Sequence, residues 1–171
     1  ADGTMPFRQN NDLFWLSGVD QEESVLVLFP DNADESEREI LFLKETNEHI
    51  AIWEGAKLTK EGALKTAGIK TVYWLNELER RITELIGKCN GIYLNKNIHS
   101  RSASAVETRD DRFRKMIANK FSATTIHEVA PIMHELRAIK SATEIALMQN
   151  ACDITEKGLR RILPFIKPGV T

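Results

Sequence analysis

The stretch SVLVLF, residues 24–29, is a short and almost wholly apolar run that ends at Pro30. An apolar run of this length without alternation is typical of a strand that is covered on both faces of a sheet. We therefore expect it to form a central strand. The elements that follow it along the chain indicate which class of sheet it belongs to.

Further strands follow this run. The runs EILFLK (39–44) and HIAIW (49–53) alternate well enough to be strands, and the turn-forming residues 46–48 between them predict a hairpin. The runs IKTVYW (69–74) and GIYLN (91–95) also have strand character.

Helices are predicted between and after these strands. A helix capped by Thr59 ends at Gly68, and a capping box of Asn76 and Glu79 opens a second helix. Apolar residues at helical spacing predict a third, long helix over residues 102–120. Strands that alternate with helices indicate an α/β layered sheet.

The C-terminal part has a different character. Ser141 and Glu144 form a capping box that opens a helix, and Pro164 ends or kinks that helix. Five residues share its apolar face: Ile145, Met148, Cys152, Leu159 and Ile162. Because no later element follows to cover this face, we expect it to be the first helix of a second, truncated domain.

Composition narrows the function classes. The 171 residues are 42% hydrophobic and 28% charged, as in an ordinary globular protein, and the formal net charge of -2 provides no basic field for nucleic acid. No apolar run is long enough to span a bilayer, and the start lacks a signal-peptide pattern. With two distant cysteines, the expectation is a cytoplasmic protein that binds neither nucleic acid nor membrane.

The residues give no sign of catalysis by this chain alone. No two of its histidines have metal-ligand spacing with a carboxylate to complete a site; they are His49, His99, His127 and His134. The sequence contains no nucleophile elbow, no glycine-rich phosphate loop and no CxxC motif. We therefore expect neither a catalytic residue nor a metal site here.

A nuclease-type metal centre is a weaker hypothesis. Asp31 follows an expected strand, and an α/β sheet can present acids at its strand ends. Its acidic neighbours, Asp34, Glu35 and Glu37, share one loop, whereas a two-metal centre needs acids that converge from several elements. The pattern therefore disfavours this alternative.

Three ordered motifs carry a family resemblance. The segment PFRQNNDLFWLSGVDQEESVLVLFP (6–30) closely resembles the N-terminal domain of Xaa-Pro aminopeptidases, in the creatinase and prolidase superfamily of pita-bread metallopeptidases. The segments AIWEGAKLTKEGA (51–63) and HELRAIKSATEIALMQNACDIT (134–155) are similar to that family's next motif and to its junction between domains. Together the motifs span nearly the whole chain.

The resemblance implies a fold and a domain division. It implies an α/β domain with a mixed β-sheet flanked by helices, of ribonuclease-H-like topology, followed by a pita-bread catalytic domain. Residues 1–135 would be the N-terminal domain without its first strand and helix. Residues 136–171 would be the linker and first helix of the missing catalytic domain.

The resemblance also implies an activity for the full-length protein. That activity is removal of an N-terminal residue ahead of proline, with two divalent ions, usually manganese, held by two aspartates, a histidine and two glutamates of the catalytic domain. This chain would then be noncatalytic and without a cofactor of its own. Its expected partners are peptides with proline in second position, its own catalytic domain and further subunits of a homo-oligomer.

Two alternatives stay open beside the aminopeptidase. The same architecture occurs in prolidase, which is an Xaa-Pro dipeptidase, and in creatinase. The same fold also serves as a noncatalytic protein-binding module in histone-chaperone subunits. Trp53, within the segment IWEG, favours the peptidase, because a pure binding module has no substrate cleft to line.

By resemblance, Trp53 extends from the small domain to the substrate cleft of a neighbouring subunit, where an aromatic wall suits proline. Asp2 matches an acidic position that reaches the same cleft. The alternative for Trp53 is packing at a strand end. Ala56 and Lys57 stand where relatives often carry arginines.

The first motif contains polar residues for which a structural role is expected. Arg8, Gln9, Asn11 and Asp12 are interpreted as a polar clamp that caps a turn and holds the Phe14–Leu16 segment against the core. Gly18 closes this structural motif.

Overall fold

A computed structural model describes residues 7–96 and 105–170 of the chain. The chain divides into two compact units, one drawn from Ala1–Leu94 and Val106–His127 and the other from Asn95–Ala105 and Glu128–Thr171. Asp2 lies outside the described residues.

The described elements follow one another as mixed helices and strands. The helices are α1 (Asn11–Ser17), α2 (Glu48–Glu54), α3 (Lys60–Ala67), α4 (Leu78–Ile86), α5 (Arg109–Lys120), α6 (Ala130–Ala138) and α7 (Ala142–Ile162). The strands are β1 (Val25–Leu28), β2 (Glu39–Leu43), β3 (Thr71–Trp74), β4 (Gly91–Leu94) and β5 (Thr125–Glu128).

The main sheet is mixed. Its order is β1-β2-β3, in which β1 runs antiparallel to β2 with Val25 opposite Phe42, and β3 runs parallel to β2 with Leu43 opposite Trp74. Strands β4 and β5 pair in a separate two-stranded sheet. The expectation that SVLVLF is the central strand is wrong, because β2 occupies that place and β1 lies at an edge of the three described strands.

Strand β2 organises the core through its alternating side chains. Leu41 and Leu43 belong to one hydrophobic cluster, which includes Val19 and Val72, whereas Ile40 and Phe42 belong to another. Because successive strand residues point to opposite faces, a fully buried four-residue run can serve two clusters at once. A third cluster joins Ile82 and Ile86 of α4 to Ile117 of α5.

Several predicted elements are confirmed. Strands occur within the runs EILFLK, IKTVYW and GIYLN. The Thr59 side chain accepts a hydrogen bond from the Gly62 N–H at 3.1 Å and so caps α3, which ends at Gly68. Ser141 and Glu144 form the expected capping box at the start of α7.

Three predictions about local structure are wrong. The run HIAIW forms helix α2 and not the second strand of a hairpin. The capping box at Asn76 does not form, because a 3-10 turn over Leu75–Glu77 precedes α4. Within the described residues, the helix expected from residue 102 begins only at Arg109, where Thr108 and Asp111 make the capping box.

The second unit contains α6, which the sequence did not suggest, and α7. The apolar positions of α7 are exposed in the structure, including Ile145, Met148, Leu159 and Ile162. A 3-10 turn over Leu163–Phe165 follows this helix. None of the helices described is both long enough and apolar enough to cross a membrane.

Candidate functional site

Trp53 lies on the last turn of α2 and projects into solvent. Its exposed fraction is 80%, and that of the preceding Ile52 is 75%. Because tryptophan usually buries most of its area, an aromatic and an aliphatic side chain exposed together form a surface suited to a partner or ligand. The alternative that Trp53 packs at a strand end is wrong in both respects, since the residue is helical and exposed.

The chain turns sharply after Trp53. The Gly55 N–H donates to the Ala51 carbonyl at 3.0 Å, and Gly55 has a φ of 80°. This left-handed backbone is one that glycine adopts without steric cost. The turn brings Lys57 back towards Glu54, the residue that follows Trp53.

Five charged side chains lie at the base of α2, and we call them the α2 ion cluster: Glu22, Glu23, Lys44, Glu54 and Lys57. The Glu54 Oε2 atom lies 3.0 Å from Lys44 Nζ and 3.5 Å from Lys57 Nζ. Lys57 also donates a hydrogen bond to Glu22, and Lys44 lies 3.7 Å from Glu23. Only 3% of the Lys57 side chain is exposed.

The hydrogen bonds of the cluster keep Glu22, Glu54 and Lys57 ionised. The hydrogen bond from Lys57 lowers the pKa of Glu22, and the same bond raises the pKa of Lys57. The hydrogen bond from Lys44 lowers the pKa of Glu54 in the same way. Each shift favours the charged form, so the contacts are between full charges at neutral pH.

Gln21 connects the first motif to the segment after α2. Its buried side chain accepts a hydrogen bond from the Leu58 N–H at 2.7 Å through Oε1. Its backbone carbonyl accepts one from Gln9 Nε2, also at 2.7 Å. The residues Gln9, Gln21 and Leu58 therefore form a continuous polar connection.

The polar residues of the first motif differ in their roles. Asn10 caps α1, because its side chain accepts from the N–H groups of Asp12 and Leu13 at 2.9 and 3.1 Å. Asn11 and Asp12, which were expected to cap, lie within the first turn. Arg8 is exposed, and Gln9 makes the contact to Gln21.

The hydrophobic half of the motif is arranged differently from the expectation. Phe14, Trp15 and Leu16 are exposed, whereas Leu13 packs against the cluster of Val19. Gly18 ends α1 with a φ of 68° and donates its N–H to the Phe14 carbonyl. The motif therefore forms helix α1 and the turn at Gly18 that ends it, and Leu13 is the residue of this helix that contacts the core.

Sequence reasoning assigned no role to three residues of this arrangement: Asn10, Gln21 and Lys57. Asn10 directly precedes Asn11 and Asp12, which were expected to cap the helix. All three residue types favour the N-cap position, so the sequence alone does not tell which of them caps α1. Gln21 and Lys57 act through partners 37 and 35 residues away. Pairs this distant leave no local pattern in a single sequence.

Potential metal ligands do not cluster in the described part of the chain. Within 7–96 and 105–170, no group of three or more histidine, cysteine, aspartate or glutamate side chains could hold a metal ion. The acids near Asp31 have structural partners, since Asp34 caps a 3-10 turn and Glu37 pairs with Lys88 at 2.8 Å. The nuclease hypothesis therefore gains no support.

Comparison with known proteins identifies the family. The sequence matches the family described as aminopeptidase P, N-terminal domain, over residues 1–93 of 171, which is more than half of the chain. The chain belongs to this family. The expected resemblance to the N-terminal domain of Xaa-Pro aminopeptidases is confirmed.

Relatives of this aminopeptidase P N-terminal domain are similar over nearly all of the chain. The Xaa-Pro aminopeptidase of Escherichia coli (strain K12) is 26% identical over 171 residues, which are 99% of this chain and 38% of the relative. The low-pH form of E. coli aminopeptidase P superposes with a TM-score of 0.80 at 24% identity, covering 99% of this chain and 39% of the other.

A zinc-substituted E. coli aminopeptidase P in complex with product has a TM-score of 0.77 at 24% identity, with the same coverage of 99% and 39%. The small sheets flanked by helices match these structures, so the predicted α/β fold class is confirmed. The chain spans little more than a third of the length of the curated relatives it matches.

Proposed function

We propose that this chain forms the noncatalytic N-terminal part of a metal-dependent Xaa-Pro aminopeptidase, in which Trp53 lines the substrate cleft of a neighbouring subunit. The observation that carries the proposal is the exposed Ile52–Trp53 surface on α2. The flat face of an indole packs well against a proline ring, and an exposed aromatic side chain is ready to do so without rearrangement. Asp2 is proposed to reach the same cleft.

The proposed enzyme uses two divalent ions, with manganese as the expected metal. The described residues do not fit these ions, since they include no group of three potential ligands. We therefore assign the ions to the part of the protein that corresponds to the remaining length of its relatives. The proposal includes a homo-oligomer, because Trp53 can act in a neighbouring cleft only if subunits associate. A cytoplasmic location is proposed as well.

The domain division is proposed along with this role. Residues 1–135 would form the N-terminal domain, and residues 136–171 would lead into the catalytic domain. The exposed apolar positions of α7, such as Ile145 and Met148, support a helix that packs against further polypeptide.

Replacement of Trp53 tests the proposed role. In the full-length enzyme, Trp53→Ala should lower kcat/KM for Xaa-Pro peptides by about 3- to 10-fold, because the aromatic contact contributes about 0.5–1.5 kcal/mol. The measurement compares a dipeptide with longer peptides, which also separates an aminopeptidase from a dipeptidase.

Trp53→Phe is the matched control, since it keeps an aromatic face and should retain most of the activity. If Trp53→Ala leaves kcat/KM unchanged on every substrate, the cleft role of Trp53 is refuted.

A further inference from the structure

We infer that Lys57 is a positioning residue for Trp53, because it holds the carboxylate of Glu54 and thereby fixes the end of α2 that carries the indole. The inference rests on the proposed cleft role of Trp53. It adds a residue whose contribution to substrate binding acts entirely through another side chain.

The described side chains of helix α2 are largely exposed. None of its described side chains belongs to the three hydrophobic clusters of the core. The helix has seven residues, which is too short for stability by local hydrogen bonds alone. The ionic contacts of Glu54 are therefore the attachments of α2 on which the inference rests.

The contacts of Glu54 provide this attachment. One oxygen of its carboxylate lies near both Lys44 and Lys57, at 3.0 and 3.5 Å. Lys44 directly follows the central strand β2, so the first contact ties α2 to the sheet. The second ties the last residue of α2 to the segment beyond its terminal turn.

Lys57 is the better defined of the two anchors. Its side chain is 3% exposed, whereas that of Lys44 is 32% exposed, so Lys57 has fewer alternative conformations. Its ammonium group also donates a hydrogen bond to Glu22, and the Gln21 side chain accepts one from the N–H of the next residue, Leu58. An ammonium group has three donors and can therefore serve two carboxylates together.

The experiment uses the full-length enzyme labelled with 5-fluorotryptophan. The ¹⁹F resonance of Trp53 is assigned by its loss in Trp53→Phe. In Lys57→Met this resonance should shift or broaden, and kcat/KM should fall by about the same 3- to 10-fold as in Trp53→Ala. The double variant Trp53→Ala/Lys57→Met should be no slower than Trp53→Ala alone, since both changes remove the same contact.

Two further variants separate positioning from a general loss of structure. Lys57→Arg keeps the positive charge within reach of the Glu22 and Glu54 carboxylates. This variant should therefore retain the wild-type resonance of Trp53 and most of the activity. Lys88→Met breaks the Lys88–Glu37 pair of 2.8 Å elsewhere in the same unit, and it should change neither.

If Lys57→Met does not fold, Glu54→Gln removes both contacts of the Glu54 carboxylate while leaving the Glu22–Lys57 pair in place. Lys44→Met removes only the Lys44 contact, so a change of the resonance in Glu54→Gln beyond that in Lys44→Met belongs to Lys57.

The outcomes distinguish the inference from the function it rests on. An unchanged Trp53 resonance in folded Lys57→Met, or additive losses in the double variant, would overturn the inference. If Lys57→Met does not fold, equal changes of the resonance in Glu54→Gln and Lys44→Met would overturn it. If Trp53→Ala has full activity while Lys57→Met still moves the resonance, the cleft role fails and the positioning role stands.

Discussion

Lys57 stays charged although almost its whole side chain is buried, because two carboxylates lie against it. A buried charge is costly when unpaired, and removal of one partner of such a pair usually destabilises more than the pair itself contributes. Glu22 accepts a hydrogen bond from Lys57, so loss of its carboxylate should leave the buried Lys57 charge poorly compensated. The pair therefore links the stability of this unit to pH.

Glu22→Gln tests this link. Because Lys57 lowers the pKa of Glu22 below its ordinary 4.5, the stabilisation is complete above about pH 4.5 and is lost as the pH falls through the lowered pKa. The difference in unfolding free energy between wild type and Glu22→Gln should be largest near pH 7 and should shrink towards pH 3. Urea denaturation at several pH values measures it.

Glu135→Gln is the control for this series. Glu135 is exposed on α6 and makes no ion pair within the structure described, so its replacement should change stability little at any pH. A difference for Glu22→Gln that stays constant from pH 7 to pH 3 would contradict the assigned pKa.

At the scale of elements, α2 is the case in which a short hydrophobic pattern predicted the wrong secondary structure. The run HIAIW alternates over five residues only, and so short a run fits a strand or a helix equally well. The structure leaves Ile52 and Trp53 adjacent and both exposed, which neither pattern anticipates. By contrast, α3 and α7 were predictable because their capping side chains lie within three residues of the groups they bind.

The order of β1 and β2 in the sheet could not be predicted from the sequence either. SVLVLF and EILFLK are both short apolar runs, and nothing local indicates which of them has a neighbour on each side. The pairing of β2 with both β1 and β3 decides the matter, and that pairing is a property of the sheet. The strands themselves could be predicted, but their order could not.

Paired substitutions on β1 and β2 test the corrected strand order. Leu41→Ala should destabilise the unit by about 2–5 kcal/mol, because Leu41 is fully buried in the central strand and its removal leaves a cavity. Leu28→Ala on β1 should cost only about 1 kcal/mol, since Leu28 is 49% exposed. Equilibrium urea unfolding measures both, and equal costs would argue against β2 as the central strand.

On the scale of the whole molecule, the family and the fold class could be predicted while the site could only be proposed. Three motifs spread along the chain specify the family because their order and spacing constrain each other. The α2 ion cluster gathers Glu22, Lys44 and Lys57 from distant positions, so it became visible only when the chain was folded. The apolar face of α7 was predicted from its spacing, and its exposure fits the proposed contact with further polypeptide.

The proposed division of labour makes a prediction for the chain by itself. The purified 171-residue chain should neither bind manganese tightly nor hydrolyse Ala-Pro, because the proposal assigns the metal ligands to the catalytic domain. Calorimetry with manganese chloride and a proline-release assay measure these properties, with the full-length enzyme as the positive control. Proline-specific turnover by the chain, free of contaminating protease, would refute the noncatalytic role.

The partial exposure of the Lys44–Glu54 contact has a practical consequence for kinetic work. Dissolved salt weakens attraction between solvent-exposed charges, and at about 0.15 M ionic strength the screening length is already only about 8 Å. The Lys57 side chain is buried, so its contacts should be screened less strongly. With Trp53 in the substrate cleft as proposed, the substrate affinity of the full-length enzyme should therefore vary with ionic strength, and values of KM are comparable only when they are measured at one ionic strength.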